Sequence, residues 1–189
     1  GALAAKLAPE YGIRYRTPCF PIYKTGHYGS FIGRGFSTPA EYRALVRAAK
    51  AAGAHFIKIM ISGLMDFEHY GVLTDEPLAP GEIADMIAGA HDEGFSVMAH
   101  ANGDSAVRAA LAAGVDSIEH GAKPNDEILR LFRECSAFLC TTIYPALPYA
   151  LFDRSVSNAS EVEQFNGNVV FEGIIECAKA ALAHDIPVV

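Results

Sequence analysis

The 189 residues narrow the field first by what they lack. No apolar run approaches the ~18 residues needed to cross a bilayer, so no membrane partner is expected. No run of lysine or arginine occurs, and the formal net charge is -7. An acidic chain of that kind is a poor partner for nucleic acid or anionic lipid. The opening segment GALAAKLAPEYG has neither a basic n-region nor a long apolar stretch, so it does not read as a signal peptide. It also begins without Met, so the targeting of a parent protein is not legible in it. None of the four cysteines, Cys19, Cys135, Cys140 and Cys177, forms a C-x-x-C pair. That argues against a disulfide framework or zinc knuckle, and for reduced core thiols in a cytoplasmic protein. No G-x-G-x-x-G or G-x-x-x-x-G-K-[ST] follows any strand, which removes the usual phosphate-binding loops. There is no low-complexity tract and no linker, so residues 1–189 read as one domain.

What is present is a repeated unit. Half of the chain (51%) is hydrophobic, enough to bury a sizeable core. The segments AAKAAGAHFIKIMIS, AGAHDEGFSVMAHA, ALAAGVDSIEHG and AKAALAHDIPVV each run from an Ala-rich helix through a break into a short apolar strand. Gly53, Gly94 and Gly114 fall where a helix should end. Thr38-Pro39-Ala40-Glu41 and Ser160-Glu161-Val162-Glu163 read as capping boxes, and Pro80 and Pro124 are placed to open helices. Continuous apolar strands are those covered on both faces. Helix and strand in alternation imply an α/β fold with right-handed crossovers. Six strands are expected, around Arg14–Phe20, His55–Ser62, Phe95–His100, Ser117–His120, Ala137–Thr142 and Ile186–Val189, with a further helix near Ala2–Ala8. The connections Pro21–Ser37, Ser62–Ala79 and Tyr144–Asn158 read as long loops after strand ends, where α/β proteins keep their chemistry. A closed parallel barrel needs eight strands, so this is a partial TIM (β/α)8 barrel with about six parallel strands.

Three residues stand out against that plan. Lys58 sits inside the apolar strand Phe56-Ile57-Lys58-Ile59-Met60-Ile61 and points opposite to Ile57 and Ile59. A buried ammonium costs several kcal/mol unless it is paired or has its pKa lowered. An amine there can serve as a base, as a Schiff-base former or, once carboxylated, as a metal ligand. His100 and His120 each end a strand, on consecutive strands, so one mouth of the sheet receives both imidazoles. Imidazole is the commonest protein ligand for zinc-like ions. His55 and His184 sit at strand starts and His91 beside Asp92 and Glu93, positions that read as structural or solvated.

The strand HFIKIMISG, the strand VMAHANG, the run AALAAGVDSIEHG and the loop KTGHYG together resemble the amidohydrolase superfamily, in particular its imidazolonepropionase-like and prolidase-like branch. The likeness extends from Arg14 to Val189. It implies that Lys58 is carboxylated and bridges two divalent ions, of which zinc is the first expectation, and that His100 and His120 bind the second. It makes the six strands numbers three to eight of the barrel. It suggests His27 near the substrate, and Asn102 where related peptidases carry a tyrosine that meets the substrate carbonyl; Tyr144 is a weaker pocket candidate by its place after the seventh strand. The family's His-x-His pair for the first metal is absent, because no two of the other histidines are one residue apart. Its general-base aspartate, expected beyond Val189, is absent too. The resemblance thus implies a hydrolase of C–N bonds in a cyclic amide, a dipeptide or an N-acyl amino acid, inactive alone unless a missing segment of the same protein or another copy completes it. Two other readings stay open: a metal-free lysine enzyme working through an imine, and a non-catalytic α/β module that binds a small molecule. A six-stranded open barrel exposes edges and apolar surface, so homo-oligomerisation is expected.

Overall fold

The computed structural model describes residues 1–189, with side-chain surroundings described for all except Ala2. Six strands form one sheet: β1 (Pro21–Lys24), β2 (Arg34–Phe36), β3 (Ile57–Met60), β4 (Val97–Asn102), β5 (Ser117–Gly121) and β6 (Phe138–Cys140). Their order is β2-β1-β3-β4-β5-β6, and every neighbouring pair is parallel. Eight helices flank it: α1 (Ala2–Leu7), α2 (Pro39–Ala51), α3 (Pro80–His91), α4 (Asp104–Ala112), α5 (Asp126–Cys135), α6 (Leu147–Leu151), α7 (Arg154–Ser157) and α8 (Glu161–Ala183). This is an α/β fold with the layout of a partial TIM barrel. Among the described residues no helix is long and apolar enough to cross a membrane.

Alternation along the strands divides the sheet into two unlike faces. The register aligns Ile22, Ile59, Ala99, Ile118 and Leu139 on one face. All five are fully buried, against Val46, Ile83, Ile87, Val107, Leu111 and Phe132 of α2 to α5. Each of the larger aliphatic and aromatic side chains contributes about 1.5–3 kcal/mol by leaving water. The opposite face carries Tyr23, Lys58, Met60, Met98, His100, Glu119 and Cys140. That face would line the inside of a barrel.

Local sequence sets the helix ends. The hydroxyl of Thr38 accepts from Glu41 N, and Glu41 returns a carboxylate to Thr38 N, closing the expected capping box; Ser160 and Glu163 do the same for α8. Pro80 opens α3, but Pro124 lies two residues before α5, whose cap is Asn125 accepting from Ile128 N. The expected strand at Arg14–Phe20 does not form. Cys19 has φ 65, which turns the chain between two prolines that lack an N–H, so β1 begins only at Pro21. Thr17 still meets the start of β3 through His55, whose N donates to Thr17 O at 2.8 Å. The aromatic connection Pro21–Ser37 holds two short strands, β1 and β2, where a loop is expected. Ile186–Val189 does lie beside β6, but as one isolated parallel bridge between Leu139 and Val188. Pro187 cannot donate to a ladder, which limits that strand. The stretch Tyr144–Asn158 is not a plain loop, since it contains α6 and α7.

Candidate metal centre

The ends of β4 and β5 bring His100 and His120 into contact, while Lys58 lies on the same inner face two positions further down the sheet and does not line the cavity above. Lys58 is level with Met98, and His100 with Met60 and Glu119, all on the inner face. By the same register His120 is level with Ala101, whose side chain belongs to the buried outer core. Regular strand geometry would therefore aim His120 away from His100. The backbone prevents this: His120 has φ 76 and Gly121 follows at φ 100. Left-handed backbone at a non-glycine residue costs about 1–3 kcal/mol and clusters at functional sites. Here it swings the imidazole round the strand end, so that the rings of His100 and His120 lie edge to face, centroids 4.6 Å apart.

Each ring is oriented at one nitrogen. His100 Nε2 lies 3.1 Å from the Gly63 carbonyl, which accepts a proton from it, and Asn102 Nδ2 donates to the same carbonyl at 2.9 Å. Asn102 Nδ2 also lies 3.2 Å from Nε2; since the Gly63 carbonyl can only accept, a proton on Nε2 satisfies that contact and leaves Nδ1 with its lone pair. His120 Nδ1 lies 2.5 Å from Thr142 Oγ1, which leaves Nε2 for another partner. Burial holds both imidazoles neutral, lowering His100 to about 4 and His120 to about 3; the Lys58 charge adds to the effect on both, and His100 adds to that on His120. Neutral imidazoles with one nitrogen pinned and the other free are the form a metal requires.

Lys58 has no hydrogen bond or ion pair among the described residues. Desolvation lowers its pKa to about 8, against the opposing pull of Glu119 and Cys140. Such an amine is partly uncharged near neutrality, the state that reacts with an electrophile such as carbon dioxide. Among the described residues no three His, Cys, Asp or Glu side chains converge as a metal-binding group. The donor set present is thus one amine and two imidazoles, which suits part of a binuclear site.

A cavity of about 620 Å³ opens over these strand ends. Tyr28, His100, Asn102, His120 and Thr142 line its polar side, and Leu64, Leu73, Val170 and Ile174 its apolar side. Asn102 is therefore brought to the cavity. Tyr144 is not among the lining residues and is 80% exposed, and His27 also lies outside the lining. The neighbour of His27 takes that place: Tyr28 stacks on the His100 ring at 4.8 Å and 29°. Tyr28, Glu119 and Thr142 are site residues missed from the sequence. Glu119 was legible, because two residues on from Ser117 it must share the face of His100. Tyr28 gives no such sign.

The fold defines a class, a parallel α/β sheet laid out as a partial TIM barrel, and comparison with known proteins points to the same class. No protein-family model matches the chain. An ochratoxinase from Aspergillus niger is 32% identical over 100 residues, which is 50% of this chain and 19% of that protein. The ochratoxinase structure superposes with TM-score 0.81 at 18% identity, over 100% of this chain and 48% of its own. A structure assigned as a prolidase from Bifidobacterium longum gives TM-score 0.72 at 27% identity, over 89% of this chain and 42% of its own. A structure named as an amidohydrolase gives TM-score 0.71 at 21% identity, over 100% and 51%. The chain is therefore similar to amidohydrolase-superfamily barrels, and it spans about half the length of those structures.

Proposed function

We propose that this chain is part of a metal-dependent hydrolase of C–N bonds, with Lys58, His100 and His120 as metal ligands. The observation that carries the reading is the left-handed backbone at His120, which spends conformational energy to bring a second imidazole against His100. In this reading His100 would hold the metal through Nδ1, His120 through Nε2, and Lys58, once carboxylated, through an anionic oxygen. When bound there, a divalent metal, zinc in the first instance, would supply a water of near-neutral pKa and polarise a carbonyl. The chain's own residues do the rest. Gly63 and Thr142 hold the two rings in orientation, Asn102 presents a polar group at the cavity wall, and Tyr28 covers the His100 ring from water. The apolar wall of Leu64, Leu73, Val170 and Ile174 accepts the non-reacting part of a cyclic amide, a dipeptide or an N-acyl amino acid.

The ligands for the first ion and the general base come, in this reading, from a further segment of the same protein or from a second copy. The 189 residues alone are then expected to bind zinc weakly and to hydrolyse nothing. Equilibrium dialysis of the chain with zinc tests the site directly. Lys58→Met is expected to weaken binding by about a hundredfold, at the upper end of what removal of even a supporting group costs. Zinc uptake that is unaffected by Lys58→Met, or no uptake by the unaltered chain, would refute the proposal. The lowered Lys58 amine also suits imine formation. Borohydride trapping of a carbonyl compound on Lys58, in a chain that takes up no zinc, would select that chemistry instead.

A further inference from the structure

Asn166 lies in α8, far along the chain from the strand ends, and is 2% exposed. A buried amide must find partners for its donors and its acceptor. Asn166 finds them all in one short stretch of backbone: Oδ1 accepts from Gly71 N at 2.9 Å, and Nδ2 donates to Asp66 O at 2.7 Å and to His69 O at 2.8 Å. Residues 66–71 are the tip of an excursion between β3 and α3. Its two legs pair like a small hairpin, with Thr74 N to Leu64 O at 2.8 Å, Asp66 N to Val72 O at 3.0 Å and an antiparallel bridge between Met65 and Leu73. At the root stands Gly63, whose carbonyl accepts from His100 and Asn102. The root has no slack, because a Cβ on Gly63 would lie 2.4 Å from Asp75 N. Tyr70 and Phe165 make a second attachment at the tip, edge to face at 5.1 Å.

We propose that Asn166 is a positioning residue of the site. It clamps the excursion to α8, and the paired legs pass that restraint to the Gly63 carbonyl, which fixes the His100 ring. The clamp also sets the width of the cavity, because Leu64 and Leu73 come from the excursion while Val170 and Ile174 come from α8. The functional meaning of the clamp rests on the proposed role of His100 as a ligand, but its test needs no metal.

The test uses the metal-free chain. Diethylpyrocarbonate modification of each histidine is followed by mass spectrometry, with His91 on α3 as the internal reference, beside amide exchange of residues 64–73. In Asn166→Ala the exchange of 64–73 is expected to rise and His100 to react about tenfold faster, the scale on which supporting partners act, with His91 unchanged. Tyr70→Ala removes only a side chain that is 56% exposed, so the fold survives, and a smaller rise at the same two places is expected. Faster exchange of 64–73 with unchanged His100 reactivity, in either variant, overturns the proposal, as does unchanged exchange in both. A parallel rise at His91 would mark general unfolding, and Tyr70→Ala then decides. Failure of the unaltered chain to take up zinc would defeat the metal reading and leave this result standing.

Discussion

His100 and His120 end adjacent strands and meet ring to ring, yet they arrive by different routes. His100 follows the alternation of β4, faces inward as a strand residue should, and is held by a main-chain carbonyl. His120 breaks the alternation of β5 with a left-handed residue and is held by a side-chain hydroxyl. The first imidazole is placed by regular structure; the second depends on a local turn and on Thr142. The end of β5 should accordingly be the more fragile half of the site.

The largest expected difference is in metal affinity. Thr142→Val keeps the shape but removes the oxygen beside His120 Nδ1, and should weaken zinc binding by about 10–100-fold. Asn102→Ala leaves the Gly63 carbonyl in place on His100 and should cost less. Competition against a chromogenic chelator measures both, and a greater loss from Asn102→Ala would reverse the comparison.

Next comes stability. Gly121→Ala puts a side chain at φ 100, with its Cβ 3.3 Å from both Cys177 Sγ and Leu139 Cδ1. Gly114→Ala, before the other end of β5, meets open space at φ 78. The left-handed conformation alone costs about 1–2 kcal/mol, so Gly114→Ala should lose that much in urea unfolding and Gly121→Ala more. Zinc affinity should fall only in Gly121→Ala.

The smallest expected difference is one of pH. The folded pKa of each imidazole is depressed, so below about 6.5 the unfolded chain takes up protons that the folded chain refuses. The stability each provides is present above pH 6.5 and is lost as pH falls, to about 4 for His100 and about 3 for His120. Replacing either by Leu should flatten the acid limb of the metal-free chain, with the loss reaching lower pH for His120 than for His100. Coincident limbs in the urea midpoints would mean that the two rings sit in equivalent surroundings.

The route of His100 was legible in the sequence and that of His120 was only half so. Apolar runs, helix caps and the spacing of Lys58, His100 and His120 sufficed for the parallel α/β sheet and for which strand ends matter. They could not reveal that His120 faces inward against its own register, because a backbone torsion leaves no mark in residue order, although the glycine that follows it is consistent with one. Asn166 was invisible for another reason: its partners are backbone groups about a hundred residues away. The strand placed at Arg14–Phe20 failed because its polar and aromatic residues imitate a strand while Pro18, Cys19 and Pro21 force a turn.

The narrow rim of the sheet has a consequence for how copies of this molecule can meet. β2 is three residues long, and its Arg34 guanidinium lies 4.0 Å over the Phe20 ring. A stub of that length headed by a cation is a poor template for a foreign strand, and the bridge at Val188 shields part of the opposite rim. Edge-to-edge pairing of copies, the path towards fibrils, is therefore poorly templated at both rims.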